Sequence, residues 1–247
     1  MLEMVRLKQR HPVSPARVRH WFASPQAVSL LQAENRWLQT WLEQSFGSYL
    51  LLYNAVSDAG HASRVRHQVR LGSSEQLQDI HCSECQWPVT PEGADVVLLQ
   101  HSLEFASSPY NLLREAARAV RPGGHLLIIG RNPWWPGFLG RGLWRRSHRL
   151  SAGRVAEWLA VLGFAVDDPF FAHYQWAYIQ SKSSALETFL AKRQWPLGAC
   201  YMMSARKMVH AAPLQRQRNT RVKGILPLPV ARQEGNPEIA KEQRTHE

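Results

Sequence analysis

The sequence predicts an α/β protein with a mostly parallel sheet and helices on both faces. Two observations predict this class: apolar runs of strand length alternate with segments of helical periodicity, and short turns rich in Pro and Gly join them. The chain has 247 residues, 45% of them hydrophobic, which is enough for one sizeable core. No internal repeat is visible.

A long helix and two or three strands are expected in the first third of the chain. Ser24 and Pro25 form a helix-start signal, a capping hydroxyl followed by proline at the first helical position. Apolar residues then recur at three- and four-residue spacing as far as Gly47, which indicates an amphipathic helix. Residues 54–60 are polar and turn-like. The strands predicted on either side of this turn and beyond it are residues 48–53, 65–71 and 77–82.

The remainder of the chain continues the alternation. Residues 94–99 read ADVVLL and predict a strongly buried strand. A helix begins at Ser151 and ends at Gly163, a residue typical of helix termini. From residue 213 onward the chain is polar, charged and interrupted by Pro, so we expect a disordered tail. The other predicted elements are a helix at 110–120, a turn at 122–124, strands at 125–129, 164–166 and 199–208, an aromatic segment at 169–174 and a helical pattern at 184–193.

Charge and cysteine content narrow the function classes. The net charge is +11, with five Lys/Arg against one acid in residues 1–20 and six Arg without an acid in residues 131–154. Such clusters favour anionic partners, or are simply solvated surface. Three cysteines do not make a disulfide framework, and no apolar run reaches the length of a membrane helix, so we expect a cytoplasmic protein. Residues 1–19 are interpreted as a basic extension before a domain at 20–212.

One stretch carries a specific motif. Residues 95–105 read DVVLLQHSLEF, residues 112–124 read LLREAARAVRPGG, and residues 125–133 read HLLIIGRNP. This combination resembles the second half of a class I S-adenosylmethionine (SAM)-dependent methyltransferase, of the methyltransferase type 11 group. The agreement is dense over residues 84–133 and looser as far as Met208. The resemblance implies a Rossmann-like methyltransferase fold with an antiparallel last strand, and SAM as the cofactor.

The half of the chain that would hold SAM departs from the family's pattern. Such proteins end a strand in a turn resembling Asp-x-Gly-x-Gly-x-Gly, whose glycines let the backbone approach the cofactor. Here residues 53–60 read YNAVSDAG and keep only Gly60, and no acid follows the next predicted strand before Glu75. The resemblance therefore implies a methyltransferase with an atypical cofactor site. The missing glycines leave open an alternative, a non-catalytic methyltransferase-like binding or scaffold protein.

Candidate site residues follow from the resemblance by their position. His101 comes after a strand at the ligand-binding edge and is the candidate catalytic residue, as a base or a polar anchor. A polar histidine at a strand end without any role is the other interpretation. Cys82 and Cys85 have the C-x-x-C spacing but lack a second ligand pair, so no metal site is expected. The residues expected to bind the cofactor are Asn54, Ala55, Asp58, Ser83, Glu84, Gln100 and Asn132.

Residues 133–146, PWWPGFLGRGLWRR, mix three Trp and three Arg with Gly and Pro. Four interpretations are open: a lid over a small-molecule pocket, an aromatic and basic surface for RNA, a shallow membrane contact, or a loop pinned to the core by its Trp residues. A small-molecule substrate is the leading expectation. RNA or an anionic membrane would bind through Arg141, Arg145, Arg146 and Trp144.

Overall fold

A twisted mixed sheet forms the centre of the protein in the computed structural model, which describes residues 13–56, 61, 63–72, 79–135, 142–172 and 198–209. The strands of the described residues are β1 (Phe46–Asn54), β2 (Arg64–Gly72), β3 (Ile80–His81), β4 (Ala94–Gln100), β5 (Val120–Arg131), β6 (Phe164–Val166), β7 (Phe170–Ala172) and β8 (Cys200–Lys207). The helices are α1 (Pro15–Phe22), α2 (Pro25–Gln44), α3 (Pro109–Ala119) and α4 (Ala152–Val161), with a 3-10 helix at Gly142–Arg145.

The strand order confirms the predicted fold class. The strands lie in the order β3-β2-β1-β4-β5-β8-β6, and β7 pairs with the other end of β8. The five strands from β1 to β5 are parallel, whereas β8 runs antiparallel to β5, β6 and β7. All seven residues of β4 are buried, as expected for a parallel strand that is covered on both faces.

Helices cover the two faces of the sheet. On one face, α2 packs Leu38 and Leu42 against a cluster that includes Leu50 of β1 and Leu98 of β4. On the other face, α3 and α4 contribute to a second cluster with the alternate side chains of the same strands, such as Val97. The helix predicted from Ser24 and Pro25, and the one predicted from Ser151, are thereby confirmed; the Oγ atom of Ser151 accepts a hydrogen bond from the Arg154 amide.

The connection from β1 to β2 is short for a parallel crossover. Only nine residues, 55–63, separate Asn54 from Arg64. Parallel neighbours usually need a connection of about a dozen residues or more that contains a helix. A helix of ordinary length does not fit into nine residues, so this connection differs from the usual parallel crossover.

The predicted turn at Pro122–Gly124 is built into the beginning of β5. The register between β4 and β5 shifts between Ala94 and Val96, and regular pairing resumes at His125. Gly123 has a φ of 78°, and a Cβ on Gly124 would lie 2.8 Å from the carbonyl oxygen of Asp95. Both glycines are therefore required by the backbone, at the end of the strand opposite to the ligand-binding edge.

Helix α1 and the 3-10 helix form a small third cluster. Val18, Phe22, Ala27 and Trp144 are its buried members. α1 crosses the boundary at residues 19 and 20 that the sequence suggested between a basic extension and the domain. It begins with Ser14 and Pro15, the same pair of residue types that predicts the start of α2.

Three further segments were predicted from the sequence, at residues 169–174, at 184–193 and from 213 onward. The aromatic segment at 169–174 contributes the strand β7, which pairs with β8. The helical pattern at 184–193 and the tail from residue 213 lie outside the described residues. No helix in the described part of the chain is long and apolar enough to cross a membrane.

Candidate functional site

A cavity of about 320 Å³ opens at the carboxyl ends of β1, β2 and β4. This is the edge at which open α/β sheets bind ligands, and the volume is at the lower end of the range for small-molecule sites. The strands and the loops that follow them form one wall, and the beginning of α1 forms the other. The lining residues are Val13, Pro15, Val18, Arg19, Tyr53, Asn54, Ala55, Leu71, Gly72, Glu84, Ser102, Phe105 and Ala106.

Two polar atoms in the wall have no hydrogen-bond partner among the described residues. They are Oδ1 of Asn54, at the end of β1, and Oγ of Ser102, which follows β4. Ser102 is 5% exposed. Buried polar atoms in native proteins nearly always have a partner, so the lack of one for both of these atoms favours a polar ligand nearby. A polar ligand therefore fits this wall better than a purely apolar one.

Tyr53 and Glu84 shape another part of the cavity. The ring of Tyr53 stacks on that of Trp87, with 5.4 Å between centroids and 16° between planes. Burial, together with the negative charge of Glu84, raises the pKa of the Tyr53 phenol, which therefore stays protonated. The Glu84 carboxylate accepts hydrogen bonds from the amide and the hydroxyl of Ser107, at 2.7 and 2.6 Å. These bonds fix the carboxylate at the rim.

The position of Trp87 depends on an ion pair on α3. Glu115 accepts a hydrogen bond from the Trp87 amide at 2.9 Å, and Arg118 donates to the Trp87 carbonyl at 3.1 Å. The two side chains also pair with each other at 2.6 Å. Hydrogen bonding by Arg118 holds the pKa of Glu115 below its usual value against the opposing effect of burial. Glu115 and Arg118 of α3 thus fix the backbone of Trp87, whose ring stacks on Tyr53.

The structure brings three of the predicted cofactor residues, Asn54, Ala55 and Glu84, to the cavity. Ser83 is exposed and is not among the lining residues, and Asp58 lies outside the described residues. Asn132 is buried elsewhere: its Nδ2 atom donates to the carbonyl of Gly198 at 2.8 Å, and its Oδ1 atom accepts from the Trp134 amide at 3.1 Å. Its amide group therefore holds the end of β5.

Gln100 and His101 lie behind the cavity in a buried cluster of charged groups. Nε2 of His101 is 2.8 Å from Oε1 of Glu34, and Nδ1 is 3.4 Å from Oε1 of Glu104. Gln100 donates to the other oxygen of Glu34 at 2.8 Å, and the amide of Arg131 donates to Glu104. Every one of these side chains except Gln100 is ionisable, and none is more than 3% exposed.

The electrostatics of this cluster favour a protonated imidazole. Burial alone would lower the pKa of His101, but the charges and hydrogen bonds of Glu34 and Glu104 outweigh it and raise the pKa to about 10. Contact with the imidazolium lowers the pKa of Glu104, although burial opposes this change. His101 also has a φ of 51°, a conformation that few residues other than glycine adopt. It is a fixed cation, unsuited to accept a proton near neutral pH.

Aromatic side chains seal this cluster from the cavity. The ring of Phe22, at the end of α1, lies 4.8 Å from that of His101, and Trp144 packs edge-on at 6.2 Å. The guanidinium of Arg131 lies 5.2 Å from the centre of the Trp144 ring. The interpretation of Trp144 as a surface group that contacts RNA or lipid is therefore wrong, because this ring is 5% exposed and completes the core beneath α1.

The loop predicted at 133–146 divides between surface and core. Trp135 is buried, as the interpretation of a loop pinned by its Trp residues expects, whereas Trp134 is 69% exposed. Arg145 and Arg146 are exposed. Arg141 lies outside the described residues, so its predicted role in binding RNA or a membrane stays a prediction.

Glu34 was missed at the level of the sequence although a signal was present. Leu30, Glu34, Leu38 and Leu42 follow each other at four-residue spacing on α2, so an acid occupies the apolar stripe of an amphipathic helix. Such an acid is buried and needs a partner. The partner, His101, is 67 residues away in the chain, which is why the pair itself was not apparent.

Cys82 and Cys85 are free thiols next to the cavity, and Cys82 is buried. Burial raises the pKa of both thiols, so neither is activated as a nucleophile. In the part of the chain that the structure describes, no group of three or more His, Cys, Asp or Glu residues is arranged to hold a metal ion.

Comparison with known proteins gives one family match and one curated relative. Residues 54–128 match the family model described as a methyltransferase domain. The relative is the uncharacterized protein YafS of Escherichia coli (strain K12), 28% identical over 157 residues, which are 59% of this chain and 65% of YafS. The alignment thus spans slightly less than two thirds of that relative's length.

Solved structures share the fold at low sequence identity. One is a chain from the complex between the Haloferax volcanii Trm112 methyltransferase activator and a putative methyltransferase. It matches with a TM-score of 0.54 and 13% sequence identity, and the match covers 78% of this chain and 98% of that chain. A SAM-dependent methyltransferase from Aquifex aeolicus matches with a TM-score of 0.51 and 12% identity over 78% of this chain and 98% of that chain. The [4+2]-cyclase SpnF matches with a TM-score of 0.52 and 15% identity over 74% of this chain and 82% of that chain.

Proposed function

Because the chain has the fold of the class I SAM-dependent methyltransferases and its residues 54–128 match the methyltransferase domain family, we propose that it transfers a methyl group from SAM at an atypical cofactor site. The observation that carries the proposal is the cavity at the carboxyl ends of β1, β2 and β4, with the unpartnered polar atoms of Asn54 and Ser102 in its wall.

The residues of the cavity fit the chemical groups of SAM. Asn54 and Ser102 offer a carbonyl and a hydroxyl to its polar groups, and Glu84 offers a carboxylate oxygen to hydroxyl or amino groups. Leu71, Phe105 and Ala106 supply apolar surface. Ala55, with a small side chain, lines the cavity where the family has glycine, and it leaves room for the backbone to approach the cofactor.

Methyl transfer from SAM requires mainly that the acceptor is positioned correctly against the methyl group. SAM carries the methyl group on a sulfonium and therefore supplies its own leaving group. A good nucleophile that is held in line needs no base, and orientation alone lowers the barrier substantially. His101 is buried and protonated, so of the two roles that the sequence suggested, a base or a polar anchor, this proposal assigns it the anchor, which orders the carboxyl end of β4.

The size of the cavity limits the acceptor. A volume of about 320 Å³ leaves little room beyond the cofactor, so the group that receives the methyl is small. It is either a small molecule or a small group that projects from a larger one.

A second candidate function is favoured by the connection between β1 and β2. Its nine residues contain one glycine, so the glycine-rich sequence of the family's usual cofactor turn is missing, and nine residues are too few for a helix of ordinary length. A binding or scaffold module without catalysis would tolerate this loss. The fold itself does not decide between them, since the [4+2]-cyclase SpnF has a similar fold.

Titration calorimetry with SAM and S-adenosylhomocysteine separates the two candidates. The proposal expects both to bind with a Kd below about 1 mM, and binding weaker than this for both favours the scaffold. Ser102→Ala should weaken binding roughly two- to tenfold, since it removes one hydrogen bond. Ser48→Ala is a matched control, because Ser48 is exposed at the other end of β1 and should leave binding unchanged.

A further inference from the structure

Helix α1 borders two cavities, one on each side. Pro15, Val18 and Arg19 line the cavity, and Phe22 on the same side covers His101. The opposite side of the helix lines a separate groove of about 620 Å³ that is open to solvent. The groove is bounded by Ala16, Arg17, His20, Trp21, Ser24, Pro25 and Leu143. A single helix therefore separates the proposed reaction site from an outer groove.

The surroundings of the groove are strongly cationic. Neither residues 13–33 nor residues 131–156 contain an Asp or Glu. Arg17 and His20 lie in the groove, Arg145 ends the 3-10 helix that contacts α1, and Arg146 follows directly after it. All four side chains are exposed. Among the described residues, Arg17 and Arg146 form no ion pair, so these two cations are available to an anionic partner.

The shape of the groove favours a nucleic acid over a membrane. A membrane contact needs apolar side chains that project from the protein surface, so that they can enter the lipid. The aromatic residue here is instead set back: Trp21 is half-buried and packs edge-on against Trp144, with 4.7 Å between centroids. A fixed aromatic ring in a cationic groove is the arrangement on which unstacked bases bind, while the backbone phosphates contact the rim.

We propose that the groove on the outer side of α1 binds single-stranded nucleic acid, with a base on Trp21 and phosphates at Arg17, Arg145 and Arg146. This binding does not itself depend on the methyltransferase proposal. The further step, that the bound strand carries the small group that accepts the methyl, rests on the proposed function. α1 would then position the strand on one side and the cavity on the other.

The test measures binding of a single-stranded oligouridylate about 20 nucleotides long, longer than the roughly 4–16 nucleotides that a small binding site covers. Fluorescence anisotropy at several salt concentrations gives affinity and salt slope. The triple variant Arg17→Ala, Arg145→Ala and Arg146→Ala should lose about tenfold or more in affinity. It should also flatten the slope by up to about 2, because each phosphate contact on a single strand contributes about 0.7.

Matched variants show whether the location matters. Arg36→Ala, Arg66→Ala and Arg114→Ala remove the same three charges from exposed positions on α2, β2 and α3, and this triple variant should retain most of the affinity. Trp21→Leu should weaken binding severalfold without changing the salt slope. Thermal melts check that each variant is folded. Equal losses in both triple variants would overturn the proposal, since any positive surface would then suffice.

Two further probes decide the class of partner. A single-stranded DNA of the same length distinguishes the two nucleic acids, and binding of either one supports the groove. Vesicles of phosphatidylglycerol and phosphatidylcholine test the membrane: binding to vesicles alone, or to no probe at low salt, would overturn the proposal. SAM binding is measured separately by calorimetry. If the protein binds the oligonucleotide but not SAM, only the proposed methyl transfer is rejected, and the nucleic-acid groove stands.

Discussion

Nε2 of His101 lies 2.8 Å from Oε1 of Glu34, although the two residues stand 67 positions apart in the chain. The contact joins the middle of α2 to the residue that follows β4, and both side chains are completely buried. Glu104 contacts the other ring nitrogen, so the imidazolium lies between two carboxylates. The pair therefore fixes the carboxyl edge of the sheet next to the cavity.

Glu34→Gln should be strongly destabilising. The substitution keeps the shape of the side chain but leaves the buried imidazolium with one carboxylate instead of two. Removing one partner of a buried ion pair typically costs about 3–5 kcal/mol. Denaturant unfolding followed by circular dichroism measures the loss. Glu43→Gln, at an exposed position on the same helix, is the control and should change the stability little. Similar small effects of both substitutions would show that the cluster contributes nothing to stability.

The stability should also depend on pH through His101. Its pKa is about 10 in the folded protein, raised from about 6.5 in an unfolded chain. A raised pKa stabilises the fold fully below about pH 6.5, and this contribution is lost as the pH rises through about 10. The pKa of Glu104 is lowered, so its contribution is instead lost in acid.

His101→Asn tests the alkaline part of this dependence. Asn tolerates the positive φ of His101 but does not titrate. The difference in free energy of unfolding between wild type and variant should be largest at about pH 6.5 and shrink as the pH rises towards about 10. His81→Asn, at an exposed position on β3, should follow the wild type throughout. A difference between wild type and His101→Asn that is constant with pH would contradict a raised pKa at this site.

The fold was predictable because its signals are local. The apolar run of β4 and the alternation in β2 each mark a strand without knowledge of the neighbouring elements, and Ser24 with Pro25 marks the start of α2. α1 was missed although Ser14 and Pro15 give the same signal. Its eight residues are too short for a clear apolar period, so its stability comes from tertiary packing of Val18 and Phe22.

The site was harder to predict because its contacts are long-range. Asn54, Ala55 and Glu84 could be assigned to the site from the family resemblance by their positions in the chain. The partners of Gln100, His101 and Asn132 come from distant segments and could not be derived from spacing. Trp144 illustrates the limit: composition cannot distinguish a tryptophan that projects from a basic loop from one that turns inward against Phe22.

Gly130 near the end of β5 should tolerate no side chain. A Cβ at this position would overlap the phenol of Tyr201, which is 1% exposed and cannot move away. Gly130→Ala should therefore cost about 1–3 kcal/mol, as overpacking of a core usually does. Gly153→Ala is the matched control, because a Cβ there meets nothing within 4 Å and helix α4 should gain up to about 1 kcal/mol. Thermal or denaturant unfolding of both variants should give changes of opposite sign.

Ala55 gives the sharpest test of where the cofactor lies. Its methyl group lines the cavity, and its amide donates to the carbonyl of Gln100 at 3.0 Å, which fixes the backbone at this point. Ala55→Leu would fill part of the cavity, so the affinity for SAM should fall by at least about tenfold, or 1.4 kcal/mol. A cooperative melt should persist, because Ala55 is only half-buried. Ala165→Leu, at an exposed position on β6, should bind SAM like the wild type. If calorimetry gives equal SAM affinities for Ala55→Leu and the wild type, the cofactor does not lie along this turn.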